Sequence, residues 1–142
     1  MSDTHTTEDL SFLIVPPEEI DEIWPKIKNQ VKRTNDTVLN DTDVYNYLKS
    51  GEYFLWLITD NKTEEIIIVS TLALLQYPRN LVCRVVTLAG SRLEEWLLDY
   101  LHTIEEWARS NDCSYIEVEG RKGWVKKLTE YKVDYYTLRK KL

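Results

Sequence analysis

The segment from residue 87 to residue 95, Thr-Leu-Ala-Gly-Ser-Arg-Leu-Glu-Glu, joins an apolar run to an amphipathic stretch. Phosphate groups bind where successive backbone N–H groups and a helix N-terminus face them, and a glycine lets the backbone come close. Glu94 and Glu95 follow in the first helical turn, where carboxylates stabilise the helix end but repel a phosphate. Four consecutive residues could nevertheless form a short nest for an anion: Ala89, Gly90, Ser91 and Arg92.

Other residues capable of nucleophilic or metal chemistry stand alone in the sequence. His102 has no Cys or second His at ligand spacing, which favours a half-buried helix histidine. Ser91 has no His/Asp set to activate it and is better suited to a helix N-cap. Cys83 and Cys113 form no Cys-x-x-Cys pair and are expected to be buried free thiols. The sequence therefore predicts neither a nucleophile nor a metal site.

The residues after the junction predict the element that would position it. From residue 92 to residue 110, apolar residues recur at helical spacing and form one broad stripe. A long helix is therefore expected to pack on a sheet. The side chains expected to be buried are Leu93, Leu97, Leu101, Ile104 and Ala108.

Before this helix, three apolar runs separated by short turns favour an antiparallel meander. A further strand after the helix implies a parallel neighbour, because a crossover returns the chain in the same direction. The predicted strands cover residues 53–58, 65–75, 81–88 and 115–118.

The two ends of the chain complete the predicted order of elements. A strand is expected at 11–15, followed by a helix that Pro25 kinks or breaks. Gly51 should end a second helix that Asp41 or Thr42 caps. A small helix is expected after Gly123, and a final strand at 135–138.

Length and charge restrict the classes of function. A length of 142 residues suits a single domain, which is expected over 11–142 after a flexible tail over 1–10. A net charge of −6 argues against nucleic-acid binding. The N-terminus is polar without a basic and apolar leader pattern, and no apolar run approaches the roughly 20 residues that span a bilayer. A soluble protein that is not secreted is expected, without a membrane role.

Four stretches carry a resemblance to a known family. They read IEEWARSNDCSYIEV at 104–118, GRKGW at 120–124, LKSGE at 48–52 and LWLI at 55–58. With the order of elements, they resemble the GNAT superfamily of acyl-CoA-dependent N-acyltransferases, and in particular small GNAT-like proteins of tailed bacteriophages. The resemblance implies an α/β, GNAT-like fold with a mixed, mainly antiparallel sheet flanked by helices. It implies acetyl-CoA as the cofactor if the protein is active.

The sequence departs from this family at the residues that carry chemistry. Active members bind the pyrophosphate with a Gln/Arg-x-x-Gly-x-Gly/Ala loop, whereas the junction here holds one glycine. Active members also use a tyrosine on the last short helix to protonate the leaving thiolate. That position falls near Leu128, so Tyr131, almost one turn later, is the weak candidate. No carboxylate is obviously placed to deprotonate an amine, because Thr87 occupies the centre of the third meander strand.

Two functions remain open on these grounds. The first is a GNAT-like module with a degenerate acetyl-CoA site, acting as a structural or interaction protein in a phage particle or during its assembly. It implies a protein partner and a location in the host cytoplasm or the virion. The second is a working acetyl-CoA-dependent N-acetyltransferase that modifies an amine of a protein or small molecule. In the first, the groove that holds the pantetheine arm in GNAT enzymes would be narrowed by apolar side chains or by a partner. The candidate side chains are Val86, Leu88, Tyr115 and Trp124.

Overall fold

Six strands form one sheet in which neighbours in space are also neighbours in sequence. They are β1 (Ser2–Thr6), β2 (Leu10–Val15), β3 (Tyr53–Asp60), β4 (Ile66–Gln76), β5 (Leu81–Gly90) and β6 (Tyr115–Val118). All pairs are antiparallel except β5 and β6, which are parallel. This computed structural model describes residues 2–6, 9–120 and 123–142, with side chains from residue 9 onward. The mixed, mainly antiparallel sheet expected from the sequence is confirmed.

Within the described residues, four helices flank this sheet. They are α1 (Ile20–Lys32), α2 (Asp41–Ser50), α3 (Leu93–Ser110) and α4 (Trp124–Lys127), with a 3-10 turn at Pro17–Glu19 before α1. Helix α3 makes the crossover from β5 to β6. On the opposite side of the sheet, α1 and α2 pack together over the meander.

The first helix does not break at Pro25, because α1 continues through that residue. Pro25 lies on the exposed side, where its missing N–H removes one intrahelical bond. The opposite side holds the helix on the sheet through four buried residues, Ile20, Ile23, Ile27 and Val31.

Helix α2 ends at the predicted glycine, and its N-cap lies one residue before the first predicted cap. Asn40 caps it, accepting a hydrogen bond from the Asp43 N–H while the Asp43 carboxylate accepts from the Asn40 N–H. The predicted caps, Asp41 and Thr42, lie just inside the helix. Gly51 ends it with a φ of 82°, which a glycine adopts without strain.

The sheet separates two hydrophobic cores. Helices α1 and α2 cover one face, where the strands contribute Val15, Leu55, Leu57 and Val69. Helix α3 covers the other, where the strands contribute Phe12, Trp56, Ile68, Leu72 and Val85. Side chains alternate between the two faces of the strands, except at Ile67 and Ile68, which both lie in the core under α3.

Helix α3 confirms the predicted bounds within one residue, but its buried side is rotated from the predicted one. Ile104 and Ala108 are buried as expected, and Trp96 and Tyr100 lie beside them. Leu93, Leu97 and Leu101 are only half-buried at the margin of the same core. The two large aromatic rings take the centre because they bury more surface than leucines.

Both ends of the chain differ from the expected structure. The backbone of Ser2–Thr6, expected in a flexible tail, forms an antiparallel strand on β2. A polar sequence suits such a strand because one of its edges faces water. The strand predicted at 135–138 is absent, since residues 131–142 have no regular secondary structure. Among the residues described, no helix is both long and apolar enough to pass through a membrane.

Candidate functional site

The four residues predicted to form an anion nest lie at the junction between β5 and α3. The first two of them pair with a neighbouring strand in the sheet. Ala89 and Gly90 pair with Val69 and Ile68 on β4. A Cβ atom at position 90 would lie 2.2 Å from the carbonyl oxygen of Ile67. Glycine is therefore required here by the close approach of β4, rather than by a ligand.

Both main-chain groups of Ser91, its N–H and its carbonyl, form hydrogen bonds within the protein. Its N–H donates to the Ile67 carbonyl over 3.1 Å. Its own carbonyl accepts from the indole Nε1 of Trp96 over 2.6 Å. A backbone N–H that donates within the protein is no longer available to a phosphate, so the nest loses one of its donors.

Arg92 precedes α3 in a left-handed conformation with a φ of 59°. Its Nη1 donates to the Asp60 carboxylate over 2.8 Å, and its Nε donates to the Glu95 carboxylate. The hydrogen bond to Asp60, followed by the hydrogen bond to Glu95, raises the pKa of the guanidinium. The cation predicted to contact a phosphate is thus already paired with two anions.

Asp60 is the residue of this site that sequence analysis missed. Its side chain is 8% exposed and also accepts hydrogen bonds from the N–H groups of Lys62 and Thr63. The hydrogen bond from Arg92, followed by these two N–H groups, lowers the pKa of Asp60 from 3.8 to about 2. Asp60 is the last residue of β3, and the sequence gives no sign of its partner 32 residues away.

The two strands beside the junction separate before they reach it. Strand β6 pairs with β5 only as far as Val85 and Val118. The next residue, Val86, has no partner on β4, which marks a bulge in β5. Beyond Val85, the edge of β5 that faces away from β4 has no strand beside it in the described part of the chain.

The four side chains predicted to narrow this groove differ in their burial. Val86, Leu88 and Trp124 are half-buried, whereas Tyr115 is 63% exposed. Trp124 packs closely on the chain after β6, since a Cβ atom at Gly120 would lie 2.9 Å from the indole Cδ1. Arg121 and Lys122 of the GRKGW stretch lie outside the described residues.

Tyr131, the candidate acid, is turned toward α3. Its hydroxyl donates to Glu105 Oε2 over 2.8 Å. Burial, and then the bond to Glu105, raise the pKa of Tyr131 far above its ordinary range. The tyrosine therefore stays protonated at neutral pH, with its proton directed at a carboxylate of the same protein.

The centre of the sheet carries hydroxyl groups. The hydroxyls of Thr71 and Thr87 lie 2.6 Å apart on the α1/α2 side. On the α3 side, Ser70 donates to the Thr87 carbonyl over 3.0 Å and lies 2.6 Å from the hydroxyl of Tyr100. These groups form hydrogen bonds with one another in the core, and none of them is a base at neutral pH.

The arrangement of strands and helices matches known enzymes. A GNAT family acetyltransferase from Staphylococcus aureus superposes with a TM-score of 0.67 and 15% identity, covering 94% of this chain and 99% of that one. The fold is that of the GNAT acetyltransferases. A predicted acetyltransferase from Clostridium acetobutylicum, solved with acetyl-CoA, gives a TM-score of 0.66 and 14% identity, covering 92% of this chain and 96% of that one. Glucosamine-6-phosphate N-acetyltransferase from Arabidopsis thaliana gives 0.66 and 8%, covering 94% and 99%. No protein-family model and no curated protein matches this sequence.

The junction of this GNAT fold does not fit the pyrophosphate of acetyl-CoA. A pyrophosphate binds to several free backbone N–H groups at a helix start, and an unpaired cation strengthens that binding. Here the N–H of Ser91 and the guanidinium of Arg92 are both bonded within the protein. In addition, the carboxylates of Glu94 and Glu95 stand in the first turn of α3. No cluster of three potential metal ligands occurs among the described residues.

Proposed function

We propose that this GNAT-fold protein does not use acetyl-CoA and acts by binding another protein. The observation that carries the proposal is the pairing of Arg92 with Asp60 and Glu95. A phosphate group that approaches Arg92 must compete with the Asp60 and Glu95 carboxylates, which already neutralise the guanidinium and accept from its Nη1 and Nε. The Asp60 carboxylate is ionised at neutral pH, since its pKa is about 2.

Charge in the first turn of α3 supports the same proposal. Glu94 and Glu95 stabilise the helix start because the helix dipole is positive there. The same carboxylates oppose an incoming pyrophosphate, and the net charge of −6 adds repulsion at long range. The helix end is thus stabilised by its own side chains.

The groups available for proton transfer also favour a protein without acyltransferase activity. A general base must reach the attacking amine, and a carboxylate is the usual choice. Residues 71 and 87, at the centre of the sheet, are threonines whose hydroxyls bond to each other. Tyr131 directs its proton to Glu105 rather than into the groove.

A partner protein is supported by exposed aromatic surface. Tyr115 and Tyr136 are 63% and 82% exposed, and aromatic residues are enriched in protein interfaces. The role in a phage particle, inferred from the sequence resemblance, stays a prediction within this proposal. Purification of the protein from infected cells, with identification of what accompanies it, tests that part.

A working N-acetyltransferase is the second candidate, and the separation of β5 from β6 is the observation that favours it. Beyond Val85, the outer edge of β5 has no strand beside it in the part of the chain that is described. Main-chain groups at such an edge can bond to an extended ligand such as a pantetheine arm.

An NMR titration with acetyl-CoA separates the two candidates. The amide resonances of residues 86–92 report on both the open edge of β5 and the junction. The proposal predicts that they stay unchanged below about 0.1 mM acetyl-CoA, which corresponds to a binding free energy weaker than about 5.5 kcal/mol. Saturable shifts of these amides at low micromolar ligand would establish a cofactor site and favour the enzyme.

A further inference from the structure

The sheet ends unevenly where β3 begins. Tyr53, the first residue of β3, pairs with Ala73, whereas β4 continues to Gln76 and stays paired with β5 there. Beyond Ala73, the side of β4 that faces β3 has no strand beside it in the described part of the chain. Alternate residues of a strand turn their N–H and C=O groups to the same edge, so part of the β4 main chain is open to another molecule.

A cavity of about 370 Å³ lies at this end of the sheet. Gly51 and Glu52, which connect α2 to β3, line it together with Ala73 and Leu75 of β4. This volume is at the small end of the range for ligand sites and suits a single long side chain. β5 starts at this end of the sheet, at Leu81, and reaches the junction at its other end. The cavity is therefore separate from the junction with α3.

Two tyrosine rings form an aromatic wall beside the cavity. Tyr53 lines the cavity, and its ring centroid lies 4.7 Å from that of Tyr47. Tyr47 is 38% exposed, so another molecule can reach the pair from solvent. Tyrosine ring faces attract cations, and a planar guanidinium stacks on them.

The Glu52 carboxylate at the cavity is available to a ligand. Glu52 is exposed, and its carboxylate forms no hydrogen bond or ion pair within the described residues. In this respect it differs from Asp60 and Glu95, which Arg92 already binds. A cation that enters the cavity therefore meets an unpaired carboxylate, with which it can form a charge-assisted hydrogen bond.

The neighbouring charges leave the cavity negative. Burial is the largest cause of the raised pKa of Tyr53, and three nearby charges also act on it: Arg84, Glu52 and Asp43. Arg84 is the one cation of these three, and its Nε donates to the Glu117 carboxylate over 2.7 Å. Because Arg84 is paired in this way, the carboxylates of Glu52 and Asp43 determine the sign of the charge at the cavity. A cation is attracted there, and an anion is repelled.

We propose that an arginine side chain of a partner protein docks in this cavity. The guanidinium carries five N–H donors and no acceptor, so it fits a site that offers a carboxylate, main-chain carbonyls and aromatic rings. Its aliphatic stem covers Ala73 and Leu75, as long basic side chains do on apolar surface. The partner itself rests on the function proposed above, for which this cavity supplies the chemistry of recognition.

An NMR titration of the full chain tests the site with a defined probe, a Gly-Arg-Gly tripeptide blocked at both ends. The amides of residues 51–54 and 73–75 should shift and saturate with a dissociation constant of about 1–10 mM, the weak range expected when a single side chain binds. Glu52→Gln should raise that constant about threefold or more, since it removes the charge and keeps the size of the side chain. Glu106→Gln removes an exposed carboxylate on α3 and, as the matched control, should leave the constant unchanged.

Two further probes show whether the site recognises a guanidinium within a peptide. The same tripeptide with citrulline, which has the shape of arginine without its charge, should cause no saturable shifts. Free arginine should bind more weakly than the blocked tripeptide, because the negative cavity repels its carboxylate.

Four results would overturn the proposal. They are a lack of saturation in wild type, an unchanged constant in Glu52→Gln, an equal loss in Glu106→Gln, and binding of citrulline tripeptide or free arginine as tight as that of the arginine tripeptide. The acetyl-CoA titration is followed at residues 86–92 instead. Failure of the arginine site is therefore distinguishable from failure of the function proposed above.

Discussion

The guanidinium group of Arg92 lies 2.8 Å from the carboxylate of Asp60, and this contact joins the start of α3 to the last residue of β3. The pair connects residues 32 positions apart in the sequence. It holds in place the junction that binds the pyrophosphate in GNAT enzymes. It also leaves the Arg92 guanidinium paired with a carboxylate instead of free to contact a phosphate. One contact thus bears on both the stability and the function of this protein.

Removal of the Asp60 charge should destabilise the fold. In Asp60→Asn the side-chain oxygen can still accept from the Lys62 and Thr63 N–H groups, but Arg92 loses its ion pair. We expect a lower urea midpoint with an unchanged slope. The matched control is Asp9→Asn, which removes an exposed ion pair with Lys62 and should leave the midpoint unchanged. Equal midpoints for all three proteins would mean that the Arg92–Asp60 pair contributes nothing.

The same carboxylate predicts a pH dependence of stability. The pKa of Asp60 is lowered from 3.8 to about 2 in the folded protein. A group with a depressed folded pKa stabilises the fold above its unfolded pKa and loses that effect as pH falls through the folded value. Wild type should therefore lose more stability than Asp60→Asn between about pH 5 and about pH 2. Parallel pH profiles of the two proteins in urea unfolding would contradict this assignment.

Because the buried side of α3 differs from the predicted one, alanine substitutions along this helix should lower the free energy of unfolding by graded amounts. Ile104 is fully buried, Leu101 is half-buried and Leu98 is 66% exposed. Ile104→Ala should cost about 2–5 kcal/mol of unfolding free energy, as truncations in a packed core do. Leu101→Ala should cost less, and Leu98→Ala should be near neutral. A larger loss at Leu101 than at Ile104 would show that the predicted leucine face, rather than the observed one, is buried.

Tyr131 should matter for stability through its bond to Glu105. Tyr131→Phe removes the hydroxyl and leaves the ring in place, so a loss of about 1 kcal/mol is expected, as for a single hydrogen bond. Glu105→Gln keeps an acceptor for the same hydroxyl and should retain more stability. Thermal unfolding measures both variants. A Tyr131→Phe protein as stable as wild type would exclude this structural role.

Local patterns were sufficient to predict most of the fold. The apolar stripe of α3 and the short turns of the meander specify elements that need no distant information, and the structure confirms both. The direction in which α3 buries its surface was not predictable from the stripe. It depends on where Tyr100 meets Ser70 across the core, 30 residues apart in sequence.

The site and the end of the chain show what a sequence pattern leaves undetermined. Gly90 was predicted as part of an anion nest, but its local sequence does not reveal that the Ile67 carbonyl lies against it. Asp60 carries no local signal of its role, because the partner that lowers its pKa comes from another element. Residues 135–138 have the composition of a strand, but a strand forms only where an edge accepts it.

Calorimetric titration with acetyl-CoA, on the wild type and on Arg92→Ala, tests the central claim most directly. The claim is that Asp60 and Glu95 occupy the cation of the junction, so that no pyrophosphate site remains. We predict no binding tighter than about 0.1 mM in either protein. Low-micromolar binding to the wild type that disappears in Arg92→Ala would contradict it, because Arg92 would then bind the pyrophosphate despite its two carboxylate partners.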